Sequence, residues 1–472
     1  MEETRTREQW GSKLGFVLAA AGSAIGLGNI WKFPYITGEN GGSAFIIVYL
    51  IAIALVGFPV MLSEFLIGRK AQKDAVNSFK TLAPNKPWFF TGYMGVAAAF
   101  MILSFYGVVA GWTMTYTWEA ISGSLLSLNA SEFPDHFGAL VTAPLKPILW
   151  QVAFMVLTVA IVLGGVKKGI ERWSKILMPL LLVLLLIVVG RSVTLDGASA
   201  GIEYLLKPDF SLLTPTSFLV ALGHAFFSLS LGMGTMITYG SYLSKKENLP
   251  SAAVNVSIAD TLIALLAGFA IFPAVFALGM DAGAGPGLLF MTLPAVFQQL
   301  PLGTFFAIIF FGLVVIAALT SAISILEVPV AFFSEKFKWT RTKATVIIGA
   351  AITLVGMATS LSMGPWSGFT LFGKNFFDQL DWLSSYILLP LGGLFILLFV
   401  GFGMKLKDAF EAADFSLTSK FGKTWMFVLR FVAPALVMLV FLNSLGIAGA
   451  LTAAIIWGII LLFLYLVGVI GD

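Results

Sequence analysis

The sequence predicts an all-α integral membrane protein with about twelve transmembrane helices, and three observations predict it. Of the 472 residues, 58% are hydrophobic and only 11% charged, far from the balance of a water-soluble domain. Apolar stretches long enough to cross a bilayer as helix, about 20 residues each, recur from Gly15 to Ile470 with short polar connections between them. Lysine and arginine gather in alternate connections, the bias that orients a polytopic chain. Lipid offers no partner to a free peptide group, so such stretches form helices.

In chain order the spans fall near 14–36, 42–68, 90–123, 148–165, 172–193, 215–243, 252–279, 303–333, 344–362, 381–403, 425–444 and 449–470, the last pair being the least sharply drawn. Arg5, Arg7 and Lys13 precede the first span. Basic residues then return after each even span, as in Arg69, Lys70, Lys73, Lys167, Lys168, Lys245, Lys336, Arg341 and Lys405. The opposite connections hold only Lys146, Arg191, Lys207 and Lys374, while Lys32 and Arg430 lie within spans. Both termini are therefore expected in the cytoplasm. No cleavable signal is expected, because the charged start runs directly into a long apolar helix.

The formal charge of +4 is accounted for by those basic loops beside lipid headgroups, without a nucleic-acid partner. Cysteine is absent and only two histidines occur, which excludes disulfides and disfavours Cys- or His-rich metal sites. No metal-ligand cluster, nucleophile motif or nucleotide loop appears, so neither an enzyme nor an organic cofactor is expected. A channel would want a symmetric filter or a continuous polar pore, and neither is visible. The longest polar stretches, 124–147 and 405–423, are loop-sized, so residues 1–472 read as one membrane domain. The connection 281–302 is rich in Gly and Pro yet carries Leu288, Phe290 and Phe297. It reads either as a lid folded back over the protein or as an ordinary external loop with a short surface helix.

Glycines interrupt two spans, as Gly22-Ser-Ala-Ile-Gly26-Leu-Gly28-Asn29 in the first and Ser228-Leu-Ser230-Leu-Gly232-Met-Gly234 in the sixth. Interrupted helices five spans apart point to an inverted repeat whose unwound middles form a binding site. The N-terminal end of a broken helix presents free N–H groups to a carboxylate, and unwound carbonyls present oxygens to cations. Candidate oxygen donors at mid-span are Asn29, Ser228, Asp260, Thr320 and Ser321, since Na⁺ is a hard cation that wants an oxygen cage. Taken alone, Thr320 and Ser321 are most simply bonded to their own helix. Asp260 is the strongest candidate, because a carboxylate inside a span needs a partner, a cavity or a cation. Glu64, near the end of its span beside Arg69, is expected in a supporting hydrogen-bond role, Glu327 to be a solvated residue of an inner vestibule, and His224 to be a hydrogen-bonded structural histidine. Met233 fits either core packing or an adaptable pocket wall.

These residues lie in segments that resemble the neurotransmitter:sodium symporter family, specifically its bacterial amino-acid transporters. The resembling motifs are Gln9-Trp-Gly-Ser-Lys-Leu-Gly15, Gly26-Leu-Gly-Asn-Ile-Trp-Lys-Phe-Pro34, Glu39-Asn-Gly-Gly-Ser-Ala-Phe45 and Ser228-Leu-Ser-Leu-Gly-Met-Gly234, followed by Leu319-Thr-Ser321 and Asp378-Gln-Leu-Asp381. The broken-helix rule was itself drawn in part from this family, so the two readings are not independent. The resemblance implies a single transporter domain over 1–472, with a five-helix repeat over 14–193, a second, inverted one over 215–403, and two accessory helices over 425–470.

It also implies roles. A first Na⁺ would meet the Ala24 carbonyl, Asn29, Ser228, Asp260 and the substrate carboxylate. A second would meet carbonyls of Gly22, Ile25 and Ala317 and the hydroxyls of Thr320 and Ser321. The substrate carboxylate would meet N–H groups near Leu27 and Gly28 and the Tyr106 phenol, and its ammonium the carbonyls of Ala24, Phe227 and Ser228 and the Ser230 hydroxyl. Ile102, Tyr106, Phe227, Met233, Ala322 and Ile325 would line the side-chain pocket. Lys32 and Asp381 would form the outer gate, with lysine where the family has arginine; Arg7 and Trp10 would close inside against Glu335, near Ser241 and Tyr242. Gly169 and Pro179 resemble a family spacing associated with local unwinding of the fifth span that admits water to the second Na⁺ site, although an ordinary proline near a helix start needs no such role.

Gly26 replaces the aspartate of monoamine carriers, which implies a substrate bringing its own carboxylate. Asp260 stands where the family usually has asparagine, which implies chloride independence. The function so implied is Na⁺-coupled import of hydrophobic L-amino acids, aliphatic and aromatic, by alternating access across a bacterial inner membrane. An amino-acid sensor without transport and a proton-coupled carrier are the alternatives. Membrane lipid is the expected surrounding, and nothing in the sequence fixes an oligomeric state.

Overall fold

A computed structural model of the chain describes residues 8–280, 285–447, 456 and 458. Among these residues the architecture is helical, and the nearest approach to a sheet is one isolated bridge between Leu371 and Lys374. Among the described residues nine helices are long and apolar enough to cross a membrane, and a bent pair in the first span makes ten. The spans expected from sequence reappear within a few residues, from Ser43–Ala71 through Lys420–Ser444, apart from the sixth, which is divided into two shorter helices. The last expected span, 449–470, lies outside the described residues apart from Ile456 and Gly458. The protein is thus an integral membrane protein whose solvent is lipid.

Burial sorts the spans. Phe89–Ser122 and Gly303–Lys336 are the most enclosed, 78% and 72% of their apolar windows being buried, whereas Val166–Val193 reaches only 33%. The third and eighth spans therefore form the central pair, against which the first, fourth, fifth and ninth pack. Outward-facing side chains of the peripheral spans, such as Val183, Leu186 and Leu354, are exposed and apolar, as a lipid-facing surface requires.

The first span is broken. Lys13–Ala24 ends at Ile25 in an extended conformation, and the helix resumes as Gly28–Glu39 at an angle of 49°. The sixth span is broken too: Pro215–Ser228 gives way to 229–234, after which Thr235–Gly240 restarts. Within that interruption Ser230, Gly232 and Gly234 have φ of 54°, 79° and 79°, the left-handed region that glycine enters without a Cβ penalty. Gly232 has a further reason to be glycine, because a Cβ there would stand 2.4 Å from the Leu389 carbonyl oxygen.

The connection after the seventh span does turn back over the protein. Leu288, Phe290 and Phe297 are buried, and the Phe290 ring stacks on Phe137 at 4.8 Å and meets Tyr116 edge-on at 5.2 Å. The fifth span runs as continuous helix from Val166 to Val193 with Pro179 inside it, its first residues, Val166–Glu171, wound as wider π turns.

Candidate functional site

Both breaks open onto one small cavity. Its walls include Ala24, Leu27, Gly28, Ile102, Tyr106, Phe227, Ser230, Met233 and Ile325, all singled out from sequence, and also Ser23, Gly26 and Ser321, which were not assigned to the pocket. Ser228 and Ala322 are buried beside it without lining it. The wall is hydrocarbon and aromatic on one side and peptide and hydroxyl on the other, which suits an amphiphile with a charged head.

The polar side is built from the first break. Leu27 donates its N–H to the Tyr106 phenol oxygen at 3.3 Å, and Gly26 donates to Asn29 Oδ1 at 3.1 Å. Gly26 leaves the cavity open, because a Cβ there would stand 2.3 Å from Ser321 Oγ and 2.9 Å from Tyr106 Oη. Across from it the Ser230 hydroxyl donates to the Ser23 carbonyl at 2.8 Å, locking the sixth-span break onto the first. Glu64 completes that lock by accepting from the Gly232 N–H at 2.7 Å, the supporting role expected of it.

Two groups of oxygens flank the cavity. In the first, Asn29 Nδ2 donates to Asp260 Oδ1 at 2.7 Å, Ser228 Oγ donates to the same carboxylate at 3.0 and 3.1 Å, and Tyr49 Oη donates at 3.3 Å. Asn29, Ser228 and Asp260 are essentially without solvent contact. Among the described residues no lysine, arginine or histidine pairs with Asp260, so its partners are neutral donors alone. In the second, Ser321 Oγ donates toward the carbonyls of Gly22, Ser23 and Ile25 at 3.1 to 3.4 Å. Thr320 Oγ1 reaches the carbonyls of Ala317 at 3.0 Å and Ile25 at 3.4 Å. The structure thus gathers Gly22, Ile25, Ala317, Thr320 and Ser321 at one place, drawn from two spans nearly 300 residues apart in sequence. An anionic oxygen set and a neutral one beside one apolar cavity can hold small hard cations.

The model of the sodium:neurotransmitter symporter family matches residues 7–131 and 143–459. The chain belongs to that family. It is 46% identical over 443 residues to YhdH, an uncharacterized sodium-dependent transporter of Bacillus subtilis, covering 93% of this chain and 98% of that one. An uncharacterized sodium-dependent transporter of Haemophilus influenzae is 41% identical over 455 residues, 93% of this chain and 99% of its own length. The crystal structure of MhsT in complex with L-phenylalanine superposes with a TM-score of 0.87 at 53% identity, covering 93% of this chain and all of that one. A family of symporters is a family of transporters, not of enzymes.

The symporter's two ends differ. At one end, Lys32 Nζ lies 4.4 Å above the centre of the Phe227 ring, and Asp381 accepts from the Ser385 hydroxyl at 2.8 Å. No ion pair within 4 Å joins Lys32 to Asp381 among the described residues. On the other side Trp10 donates its backbone N–H to the Tyr242 carbonyl at 3.1 Å and its indole N–H to the Tyr239 carbonyl at 3.0 Å. Glu335 accepts from the Asp74 N–H at 3.2 Å, and Arg7 lies outside the described residues.

Two expectations need correction. Glu327 is not solvated: it is fully buried, bound by Arg341 through both guanidinium ends at 3.0 and 2.6 Å and by the Tyr242 hydroxyl at 2.6 Å. The signal was available, since a mid-span carboxylate needs a partner and an arginine opens the following span. His224 is structural by packing rather than by hydrogen bonding. Its ring lies 5.9 Å from Phe33 and 5.3 Å from Tyr49, and neither nitrogen has a hydrogen-bond partner among the described residues.

Proposed function

We propose that this chain is a symporter that carries hydrophobic L-amino acids, aliphatic and aromatic, inward together with two Na⁺ ions, by alternating access and without chloride. The observation that carries the reading is the buried Asp260 carboxylate, held by neutral donors alone, beside an apolar cavity. A cation is the natural counter-charge for such a group. The complex of MhsT with L-phenylalanine supports an amino-acid substrate, and the family's sodium coupling supports Na⁺ as the co-substrate.

In this reading the substrate carboxylate is met by the peptide N–H groups at Leu27 and Gly28 and by the Tyr106 hydroxyl, while its ammonium faces the carbonyls of Ala24, Phe227 and Ser228 and the Ser230 hydroxyl. The side chain rests on Ile102, Tyr106, Phe227, Met233 and Ile325, with Ala322 behind that wall. The first Na⁺ takes Ala24, Asn29, Ser228, Asp260 and the substrate carboxylate; the second takes the neutral oxygens around Thr320 and Ser321. The fixed charge of Asp260 stands in for an anion, which is why chloride is dispensable. Alternating access would rest on two five-helix halves, 14–193 and 215–403, with both termini in the cytoplasm. Lys32 and Asp381 would then meet outside, and Arg7, Trp10, Glu335 and Tyr242 inside.

Binding of radiolabelled L-phenylalanine to the purified protein tests this. Binding is expected in NaCl and in sodium gluconate alike and not in KCl. Binding that is indifferent to Na⁺, or that disappears when gluconate replaces chloride, contradicts the corresponding half of the proposal.

A further inference from the structure

The connection between the ninth and tenth spans, 362–375, carries a hairpin whose tip departs from the usual chemistry of its turn. Leu371 and Lys374 exchange backbone hydrogen bonds at 2.8 and 3.1 Å, closing a two-residue turn in which Phe372 and Gly373 both have positive φ, 52° and 75°. Such turns favour asparagine, aspartate or glycine at their central positions. A phenylalanine held in the left-handed region costs about 1–2 kcal/mol, and the protein gives its ring no cover, since Phe372 is 88% exposed. A strained aromatic residue that packs on nothing in its own chain calls for a partner outside it.

The tip has company. Trp366, Phe369 and Leu371 are 52%, 71% and 52% exposed, and Lys374 is the only charged residue between Leu361 and Asn375. A contiguous apolar cluster of this kind marks an interaction site. The root of the connection, by contrast, is firmly held. Ser362 Oγ accepts from the Phe377 N–H at 3.0 Å, and Asn375 Oδ1 accepts from the Asp378 N–H at 2.8 Å. The Phe377 ring stacks on Trp112 of the third span at 6.1 Å, and Gly364 lies so close to the Thr142 carbonyl that a Cβ would overlap it. The exposed rings therefore sit on an arm with a built root.

The surroundings of the arm identify what covers it. The ninth span, from which it rises, packs on the fourth, where Gln151 Nε2 donates to the Thr353 carbonyl at 3.1 Å. Both spans turn exposed hydrocarbon outward, Leu149 and Val156 on one and Ile347 and Leu354 on the other, which is lipid-facing surface. The connection that Gly364 touches at Thr142 is flanked by Trp118 and Trp150, near the ends of the third and fourth spans and 6.3 Å apart. Tryptophan gathers at that level of a membrane, where hydrocarbon meets headgroups. We propose that residues 366–374 form an anchor that enters the phospholipid bilayer at this end of the molecule, with Phe369, Leu371 and Phe372 among the upper acyl chains and Lys374 at the phosphates. The apolar surface so covered continues that of the two spans beneath it, and a lysine beside an apolar tip places its stem in hydrocarbon and its ammonium at the headgroups.

The chain lacks cysteine, so a single thiol carries a nitroxide spin label to one chosen place. Thr370→Cys puts the label on the arm without removing any of its rings, and Ala130→Cys, exposed in the connection between the third and fourth spans, is the control. The full-length protein is reconstituted in vesicles of phosphatidylcholine and phosphatidylglycerol, and relaxation of the label by oxygen, which concentrates in lipid, is compared with relaxation by a water-soluble nickel chelate. At Thr370→Cys oxygen is expected to dominate, and at Ala130→Cys the chelate. Adding Phe369→Ser and Phe372→Ser to Thr370→Cys is expected to abolish the preference for oxygen, because insertion scales with the apolar area buried. A Thr370→Cys label as open to the chelate as the control overturns the proposal, as does a preference for oxygen that survives loss of both rings. A label that neither reagent reaches overturns it as well, and dipolar broadening between labels would then make a second copy of the chain the occupant.

Discussion

Asp260 concentrates the electrostatics of the site in one carboxylate, and its neighbours show what that requires. A buried charge among neutral donors is stable only while each donor stays aimed at it or a cation joins it. Asp260→Asn keeps the shape and removes the charge, so Na⁺ should be held about tenfold or more weakly, as expected for loss of one charge-assisted contact; a Na⁺ titration of L-phenylalanine binding measures this. Gly26→Ala tests the cavity without touching a charge. The new methyl would meet Ser321 Oγ at 2.3 Å and Tyr106 Oη at 2.9 Å, so substrate binding should fall sharply, with an overpacking cost to stability of about 1–3 kcal/mol. Asn29 and Asp260 were legible in the sequence because a polar side chain at mid-span has to be explained. Ser23 was not, since it meets the sixth-span break through its carbonyl, which every residue carries.

At the scale of elements, the two broken spans are held open by specific supports. The sixth-span break depends on left-handed φ at Gly232 and on Glu64, which accepts from the Gly232 N–H. Gly232→Ala should lower stability by at least about 1–2 kcal/mol from backbone strain alone, with more from the contact to the Leu389 carbonyl, and is read as a drop in Tm of the purified protein. Glycine runs announced both breaks, because few other residues tolerate such turns. Ser230 at φ of 54° was not foreseeable, for its hydroxyl is held on the Ser23 carbonyl by a contact 207 residues away in sequence. The π turns of the fifth span were equally hidden, since a wider turn leaves no mark on an apolar sequence.

Over the whole molecule, the lipid belt and the positions of the spans followed from hydropathy because lipid permits few alternatives. The pairings between spans did not, since apolar helices carry little information about which neighbour they meet. The buried network of Glu327, Arg341 and Tyr242 shows this: it joins the sixth, eighth and ninth spans on the side where Trp10 seals the first onto the sixth. Glu327→Gln would leave the Arg341 guanidinium short of its counter-charge, and breaking a buried pair in this way typically costs about 3–5 kcal/mol. Arg341 is 23% exposed at its side chain, so the loss should fall toward the lower end, seen as a reduced Tm with Na⁺ affinity less affected than in Asp260→Asn. The function proposed for the whole molecule is the coupling of Na⁺ to the cavity. Uptake of radiolabelled L-phenylalanine into proteoliposomes under an inward Na⁺ gradient, for the native chain and for Asn29→Ala, tests that coupling most directly. Accumulation that needs the gradient and is lost in the variant is the predicted result; accumulation driven equally well by a proton gradient, or binding with no accumulation, would contradict it.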